Sequence, residues 1–186
     1  RAEIKDALAY LQVISNPDDT VALRRVLNTP RRGIGPKAEA DLIAHSDRYG
    51  ISMGAAARDC WISQGRGLGE AEDTGLTLAE LPTEETEETR GGVAGLSPRA
   101  ASAIADFWGL IEAMRRAEQA GANAAEILEE VLDRTGYLAT LRRSQDPQDA
   151  SRVENLAELH AVALDFATTS GEVGLAGFLE RVALVA

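Results

Sequence analysis

Apolar residues recur at helical spacing along most of this chain, and prolines or glycines interrupt them at short intervals. The first stretch places Ile4, Ala7, Leu8, Leu11 and Ile14 on one side of a helix. A β-strand would need a period of two residues instead. No convincing alternating stretch is found elsewhere, so the sequence predicts an all-α fold, a multi-helix bundle.

The composition also favours helices. Hydrophobic residues make up 45% of the chain and aromatic residues only 4%, so the core must consist mainly of Ala, Leu, Val and Ile. Alanine and leucine are strong helix formers. A chain of 186 residues can form one domain with a large insertion, and we expect a single helical domain over residues 1–186.

Prolines and capping residues set the predicted helix limits. The residue before a proline is pushed out of the α region, so Asn16-Pro17 and Thr29-Pro30 are expected to end the first two helices. Pro36 suits the first position of a third helix. Further helices are expected at about 148–168 and 175–182. Other starts are predicted at residues that can cap a first turn, namely Asp18 or Asp19, Ser52, Ser97 and Asn123.

Residues 62–96 lack helical periodicity. Glycines are frequent there, threonine and glutamate alternate, and residues 70–88 hold eight acidic residues and no Lys or Arg. We interpret 62–96 as a flexible acidic insertion, with one short helix around Leu76–Leu81, that keeps the chain soluble.

A basic stretch stands out in an otherwise acidic chain. The net charge of −11 argues at first against a nucleic-acid ligand, but the distribution of charge matters more than its sum. Residues 20–38 contain no acidic residue and five basic ones, which are Arg24, Arg25, Arg31, Arg32 and Lys37.

A Gly-Ile-Gly turn lies inside this basic stretch. Residues 29–35 read Thr-Pro-Arg-Arg-Gly-Ile-Gly and connect two predicted helices. The glycines allow a sharp turn with outward N–H groups, and the next helix adds partial positive charge. Such a turn can hold a phosphate oxygen without reading a base. An ordinary tight connection with solvated arginines has the same pattern, whereas a dinucleotide fingerprint is excluded because no strand precedes the glycines.

Residues 1–35, RAEIKDALAYLQVISNPDDTVALRRVLNTPRRGIG, resemble the entry to subdomain 2B in the UvrD/PcrA/Rep family of superfamily-1 DNA helicases. That family has, in this order, an EIKD-x-x-AYL helix, an NP-x-D turn and an N-x-P-x-RGIG loop. Residues 152–159, RVENLAEL, resemble its R-x-x-N-L-x-E-L segment, and residues 177–180, GFLE, its last 2B helix. The resemblance covers residues 1–60 and 97–186, while 62–96 depart from it.

The resemblance implies an accessory subdomain of a larger 3′–5′ helicase, whose motor subdomains hydrolyse ATP with Mg²⁺. Subdomain 2B contacts the duplex ahead of the fork and swivels between open and closed states. None of the family's ATP-binding motifs is present, so we expect this chain to have no catalytic residue, no cofactor and no metal of its own. The implied partners are duplex DNA or a fork junction, bound weakly and without sequence preference, the motor subdomains, and repair proteins.

Two groups of site residues follow from the resemblance. The DNA contact would comprise Thr29, Arg31, Arg32, Gly33, Ile34, Gly35 and Lys37. The junction with the motor, where the hinge lies, would comprise Arg1, Glu3, Lys5 and Asp6. The alternative is a protein-interaction or autoinhibitory module without DNA contact. The salt dependence of binding distinguishes DNA contact from protein interaction, because phosphate binding weakens steeply with ionic strength.

The remaining signals limit other functions. The single Cys60 excludes an internal disulfide and a multi-cysteine zinc site. No leader and no long apolar run is recognised, so we expect a cytoplasmic protein without a membrane segment.

Charged pairs such as Glu3 with Lys5 are interpreted as solvated helix faces rather than as a catalytic acid and base. Arg152 and Asn155 are expected to be structural and to join a helix end to a neighbouring loop.

Overall fold

The computed structural model describes residues 1–65, 90–169 and 174–185. These residues contain nine α-helices and no β-strand, which confirms the predicted all-α fold. In chain order the helices are α1 (Ala2–Ser15), α2 (Thr20–Val26), α3 (Pro36–Tyr49), α4 (Met53–Ser63), α5 (Pro98–Gln119), α6 (Ala124–Arg134), α7 (Tyr137–Arg143), α8 (Pro147–Thr169) and α9 (Leu175–Val185).

The chain divides into two compact units. The terminal unit combines residues 1–31 with 111–186, and the middle unit comprises residues 32–110. The single domain expected over 1–186 stays a prediction. Most of the predicted acidic insertion, including the short helix around Leu76–Leu81, lies outside the described residues.

Side-chain caps begin four helices at the predicted places. In each case a first-turn amide donates a hydrogen bond to the side-chain oxygen of the capping residue, at 2.9–3.1 Å. Glu126 completes a capping box with its cap. The capping residues are Asp19, Ser52, Ser97 and Asn123.

Two helix ends and one whole helix differ from the sequence predictions. Helix α2 ends at Val26 instead of at Thr29-Pro30, since the chain there tightens into a turn in which Thr29 N donates to Val26 O at 3.1 Å. Helix α4 runs to Ser63 and includes the first residues of the predicted insertion. Helix α7 was not predicted, because seven residues are too few to establish a period.

Apolar packing holds each unit together. In the terminal unit, α1 packs against α2, α6, α8 and α9. The buried side chains of the terminal unit include Tyr10, Leu11, Ile14, Leu23, Ile111, Ile127, Leu128, Phe166 and Phe178. In the middle unit, α3 packs against α4. The buried side chains of the middle unit include Ile34, Leu42, Met53, Trp61, Ile104, Phe107 and Trp108.

A buried polar network lies in the middle unit. The carboxylate of Asp59 on α4 contacts His45 Nε2 on α3 at 2.8 Å and accepts hydrogen bonds from Arg90 Nε at 2.9 Å and Nη2 at 3.3 Å. Buried polar groups need such partners to offset their desolvation. The network therefore fixes the backbone at Arg90 against the pair formed by α3 and α4.

Within the part of the chain that the structure describes, no helix is long and apolar enough to cross a membrane. The same ranges contain no cluster of three or more His, Cys, Asp or Glu residues placed to hold a metal ion.

Candidate nucleic-acid interface

The Gly-Ile-Gly turn belongs to the middle unit and leads directly into α3. The Ile34 side chain is buried, with 3% of its surface exposed. Gly33 on one side is exposed and Gly35 on the other is partly exposed. The apolar residue therefore anchors the turn in the core while the flanking backbone stays at the surface.

The two glycines have different backbone conformations. Gly33 has a φ of +82°, in the left-handed region that glycine adopts without strain. Gly35 is extended, with φ −85° and ψ −175°, a conformation open to any residue. A Cβ added at Gly35 would meet no atom within 4 Å. Glycine is thus required for the backbone conformation at Gly33 but not at Gly35.

The first turn of α3 has no side-chain cap, because its N-cap residue is Gly35. Pro36 at the first position has no N–H. No side chain caps the remaining first-turn amides, which lie at the positive end of the helix dipole. This start of a 14-residue helix is electrostatically suited to an anion.

Lys37 is exposed, yet its ammonium group has partners. Nζ donates to Asp41 Oδ2 at 2.9 Å and to the carbonyl oxygen of Gly95 at 2.7 Å, with 77% of the lysine side chain exposed. The carboxylate neutralises part of the lysine charge. Lys37 therefore also has a structural role, since it holds the loop at Gly95 against α3.

The two arginines before the turn lie in different settings. Arg32 places its guanidinium over the Phe107 ring, 4.8 Å from the centroid, which is a cation–π contact that orients the side chain. Arg31 and Thr29 belong to the terminal unit. Arg31 is exposed and forms no hydrogen bond or ion pair with another described residue, while Thr29 is partly buried and its carbonyl accepts from the Tyr10 hydroxyl.

Arg99 is a further basic residue at the turn, and sequence reasoning missed it. It is exposed in the first turn of α5, and its Nε lies 3.5 Å from the position that a Cβ on Gly33 would occupy. The cap at Ser97 and Pro98 predicts that Arg99 stands at a helix start. The sequence around Arg99 does not indicate that the start of α5 lies beside the Gly-Ile-Gly turn.

Glu3, one of the residues predicted at the motor junction, is buried, with 4% of its surface exposed. Its Oε1 accepts a hydrogen bond from Asn155 Nδ2 at 2.7 Å, and Arg152 Nε lies 3.9 Å from Oε2. The interpretation of Glu3 and Lys5 as a solvated pair is therefore wrong for Glu3. Asn155 and Arg152 are structural, as expected, but they join α8 to a helix, α1, rather than to a loop.

Asp6 likewise bonds within the terminal unit. Its two carboxylate oxygens accept hydrogen bonds from Arg25 Nε and from the Tyr137 hydroxyl, both at 2.8 Å. Burial raises the pKa of Tyr137 above its usual range, and the hydrogen bond to Asp6 acts in the same direction. Of the four predicted junction residues, only Arg1 and Lys5 are exposed, and Arg1 Nη1 donates to Asn155 Oδ1 at 2.6 Å.

Comparison with known proteins covers the whole chain. Residues 1–186 match the UvrD-like helicase C-terminal domain family. The ATP-dependent DNA helicase UvrD1 of Mycobacterium tuberculosis is 38% identical over 200 residues, and UvrD1 of Mycobacterium leprae 34% over 203. The ATP-dependent DNA helicase PcrA of Staphylococcus epidermidis is 32% identical over 188 residues.

These alignments include 98–100% of this chain but only 21–22% of each relative. The chain thus spans about a fifth of the length of the curated relatives it matches. A match along its full length, together with identities above 30%, shows that the chain belongs to the UvrD-like helicase C-terminal domain family.

Proposed function

We propose that this chain is the 2B subdomain of a 3′–5′ ATP-dependent DNA helicase and that it contacts the backbone of duplex DNA through residues 29–35 and Lys37. The observation that carries the proposal is the glycine backbone at the exposed Gly33 and the partly exposed Gly35, anchored by the buried Ile34 at the uncapped start of α3. Backbone amides and a helix N-terminus bind phosphate without reading bases. The relatives' names, ATP-dependent DNA helicases, support DNA as the ligand.

The charge of the chain limits the expected affinity. With a net charge of −11, most of the surface repels phosphate, so the basic residues near the turn must supply the attraction. We expect binding without sequence preference, with a Kd on the order of 10⁻⁴ to 10⁻⁶ M at physiological salt.

The proposed role is regulatory rather than catalytic. ATP hydrolysis belongs to the motor subdomains, and this chain swivels relative to them while it holds the duplex. Arg1, the residue before α1, and Lys5 within it are the exposed members of the predicted junction, and we assign them to the contact with the motor. The hydrogen bonds of Glu3 and Asp6 keep α1 rigid within the terminal unit, so that movement of α1 would carry the unit with it.

Titration of a labelled forked duplex at several salt concentrations tests the proposal. Each phosphate neutralised contributes about 0.9 to the slope of log K against log salt. The double variant Arg31→Ala/Arg32→Ala should lower the slope by roughly one to two. The control is Arg142→Ala/Arg143→Ala, a pair of adjacent exposed arginines in α7.

The outcomes separate the two candidate functions. The control pair should follow the wild-type slope. An unchanged slope for the Arg31/Arg32 variant would remove the turn from the mechanism. Binding of a protein partner combined with a wild-type DNA slope near zero would favour the protein-interaction module instead.

A further inference from the structure

The guanidinium group of Arg99 lies beside the exposed glycine of the turn. Its Nε, Nη2 and Cζ atoms are 3.5, 3.8 and 3.9 Å from the position of a Cβ added at Gly33. Both nitrogens are nearer that position than the central carbon, so N–H donors adjoin the turn. Arg99 and Gly33 belong to the same compact unit.

The basic residues around the turn differ in how far they are already engaged. Lys37 donates to a carboxylate and a carbonyl, and Arg32 stacks on an aromatic ring. Arg99 forms neither a hydrogen bond nor an ion pair with any residue in the ranges that the structure describes, and it is exposed. Its five N–H donors are therefore available to a ligand at the surface.

We propose that Arg99 is a phosphate-binding residue of the duplex interface and acts together with the backbone at Gly33. The interface then combines two segments distant in sequence, the Gly-Ile-Gly turn and the first turn of α5. This inference rests on the proposed function, and it adds a residue that the family resemblance did not supply.

The chemistry of arginine matches this role. Guanidinium is planar, permanently charged and able to donate two parallel hydrogen bonds to phosphate oxygens. Gly33 has no side chain, so a phosphate that reaches its backbone also comes within reach of the Arg99 donors. Lysine would keep the charge but lose the paired donors.

Duplex titrations of the 186-residue chain test the assignment. The probe is a short fluorescently labelled blunt-ended duplex, with anisotropy measured at several sodium chloride concentrations. Arg99→Ala should weaken binding about fivefold at low salt and lower the salt slope by about 0.9. Arg99→Lys should keep the wild-type slope but bind more weakly than wild type.

The matched control is Arg48→Ala. Arg48 is also an exposed arginine of the middle unit, stacked on Tyr49 with its Cζ 5.2 Å from the ring centroid. It lies in the last turn of α3, about 16 Å along the helix from Lys37 at 1.5 Å per residue. Its removal should leave the titration on the wild-type curve. Circular dichroism melting checks that each variant is folded, and Arg99→Gln replaces Arg99→Ala if the alanine variant is not.

The variants and the wild-type chain test different parts of the proposal. Arg99→Ala binding as tightly as wild type, or Arg48→Ala losing as much affinity as Arg99→Ala, overturns the assignment of Arg99 alone. Absence of duplex binding by the folded wild-type chain overturns the proposed function and the Arg99 assignment together.

Discussion

The fold does not require a glycine at Gly35. Its backbone is extended and an added Cβ would touch nothing within 4 Å, so the native packing accepts a side chain there. Gly35 directly precedes the first turn of α3, however, so a side chain there would lie near a ligand bound at that turn. Gly33 is the opposite case, because its φ of +82° disfavours every other residue.

Alanine substitutions should separate these two roles. Gly33→Ala should lower the free energy of unfolding by about 1 kcal/mol, through left-handed backbone strain. Gly35→Ala should lower it by less than about 1 kcal/mol, because alanine is the poorer N-cap but the extended backbone at Gly35 is open to it. We nevertheless expect Gly35→Ala to weaken duplex binding several-fold, because the methyl group obstructs approach to the amides. Denaturant unfolding and duplex titration measure both effects.

The control for Gly35→Ala is Gly174→Ala. Gly174 also directly precedes a helix, α9, and a Cβ added there would likewise meet no atom within 4 Å. This variant should bind duplex as the wild type does. If Gly35→Ala also binds like wild type, the backbone at Gly35 is not part of the contact.

Helices α1 and α8 are joined by a buried carboxylate. Glu3 accepts a hydrogen bond from Asn155, 152 residues away in sequence. Burial raises the pKa of Glu3, but hydrogen bonds from its own backbone amide and from Asn155, and the charges of the N-terminal ammonium and of Arg152, outweigh that effect. The net result is a Glu3 pKa below its usual range.

The sign of this shift sets a pH dependence. The pKa of Glu3 is lower in the folded than in the unfolded chain, so the ionised carboxylate stabilises the fold. This stabilisation is fully present when the pH is above the pKa of Glu3 in the unfolded chain, about 4.3. That stabilisation is lost as the pH falls through the folded pKa. The stability difference between wild type and Glu3→Gln should therefore be largest at neutral pH and shrink below about pH 4.

Denaturant unfolding across a pH series measures this difference. Glu158→Gln, at an exposed position of α8, is the control and should follow the wild type throughout. A constant gap between Glu3→Gln and wild type from neutral to acidic pH would show that ionisation of Glu3 does not contribute to the stability of the fold.

The charge of the whole chain should oppose duplex binding. Five glutamates between residues 80 and 88 are part of its negative charge. Their replacement by glutamine should strengthen binding several-fold at low salt. The gain should vanish at high salt, because the Debye length falls from about 10 Å at 0.1 M to about 3 Å at 1 M. The five residues are Glu80, Glu84, Glu85, Glu87 and Glu88.

Aspartate at the same five positions keeps the charge and serves as the control in the same anisotropy titrations. It should bind as the wild type does. Equal affinities of the glutamine variant and the wild type at low salt would show that these acids lie too far from the bound duplex to repel it.

Helix caps could be predicted from local sequence because they depend on residues about three positions apart. Asp19, Ser52, Ser97 and Asn123 cap helices as expected for this reason. The family could be identified from motifs in order, such as the N-x-P-x-RGIG loop, which the full-length match supports.

Contacts between residues far apart in sequence could not be predicted from local sequence patterns, and only the packing of the helices determines them. It buries Glu3 against Asn155, engages Lys37 with Gly95, and brings Arg99 to Gly33. Each of these contacts joins residues more than 50 positions apart, and its energy depends on how helices dock rather than on the preferences of neighbouring residues. The sequence alone therefore determined the helical fold and the family. Which charged residues lie at the surface near the turn depended on how the helices pack in three dimensions.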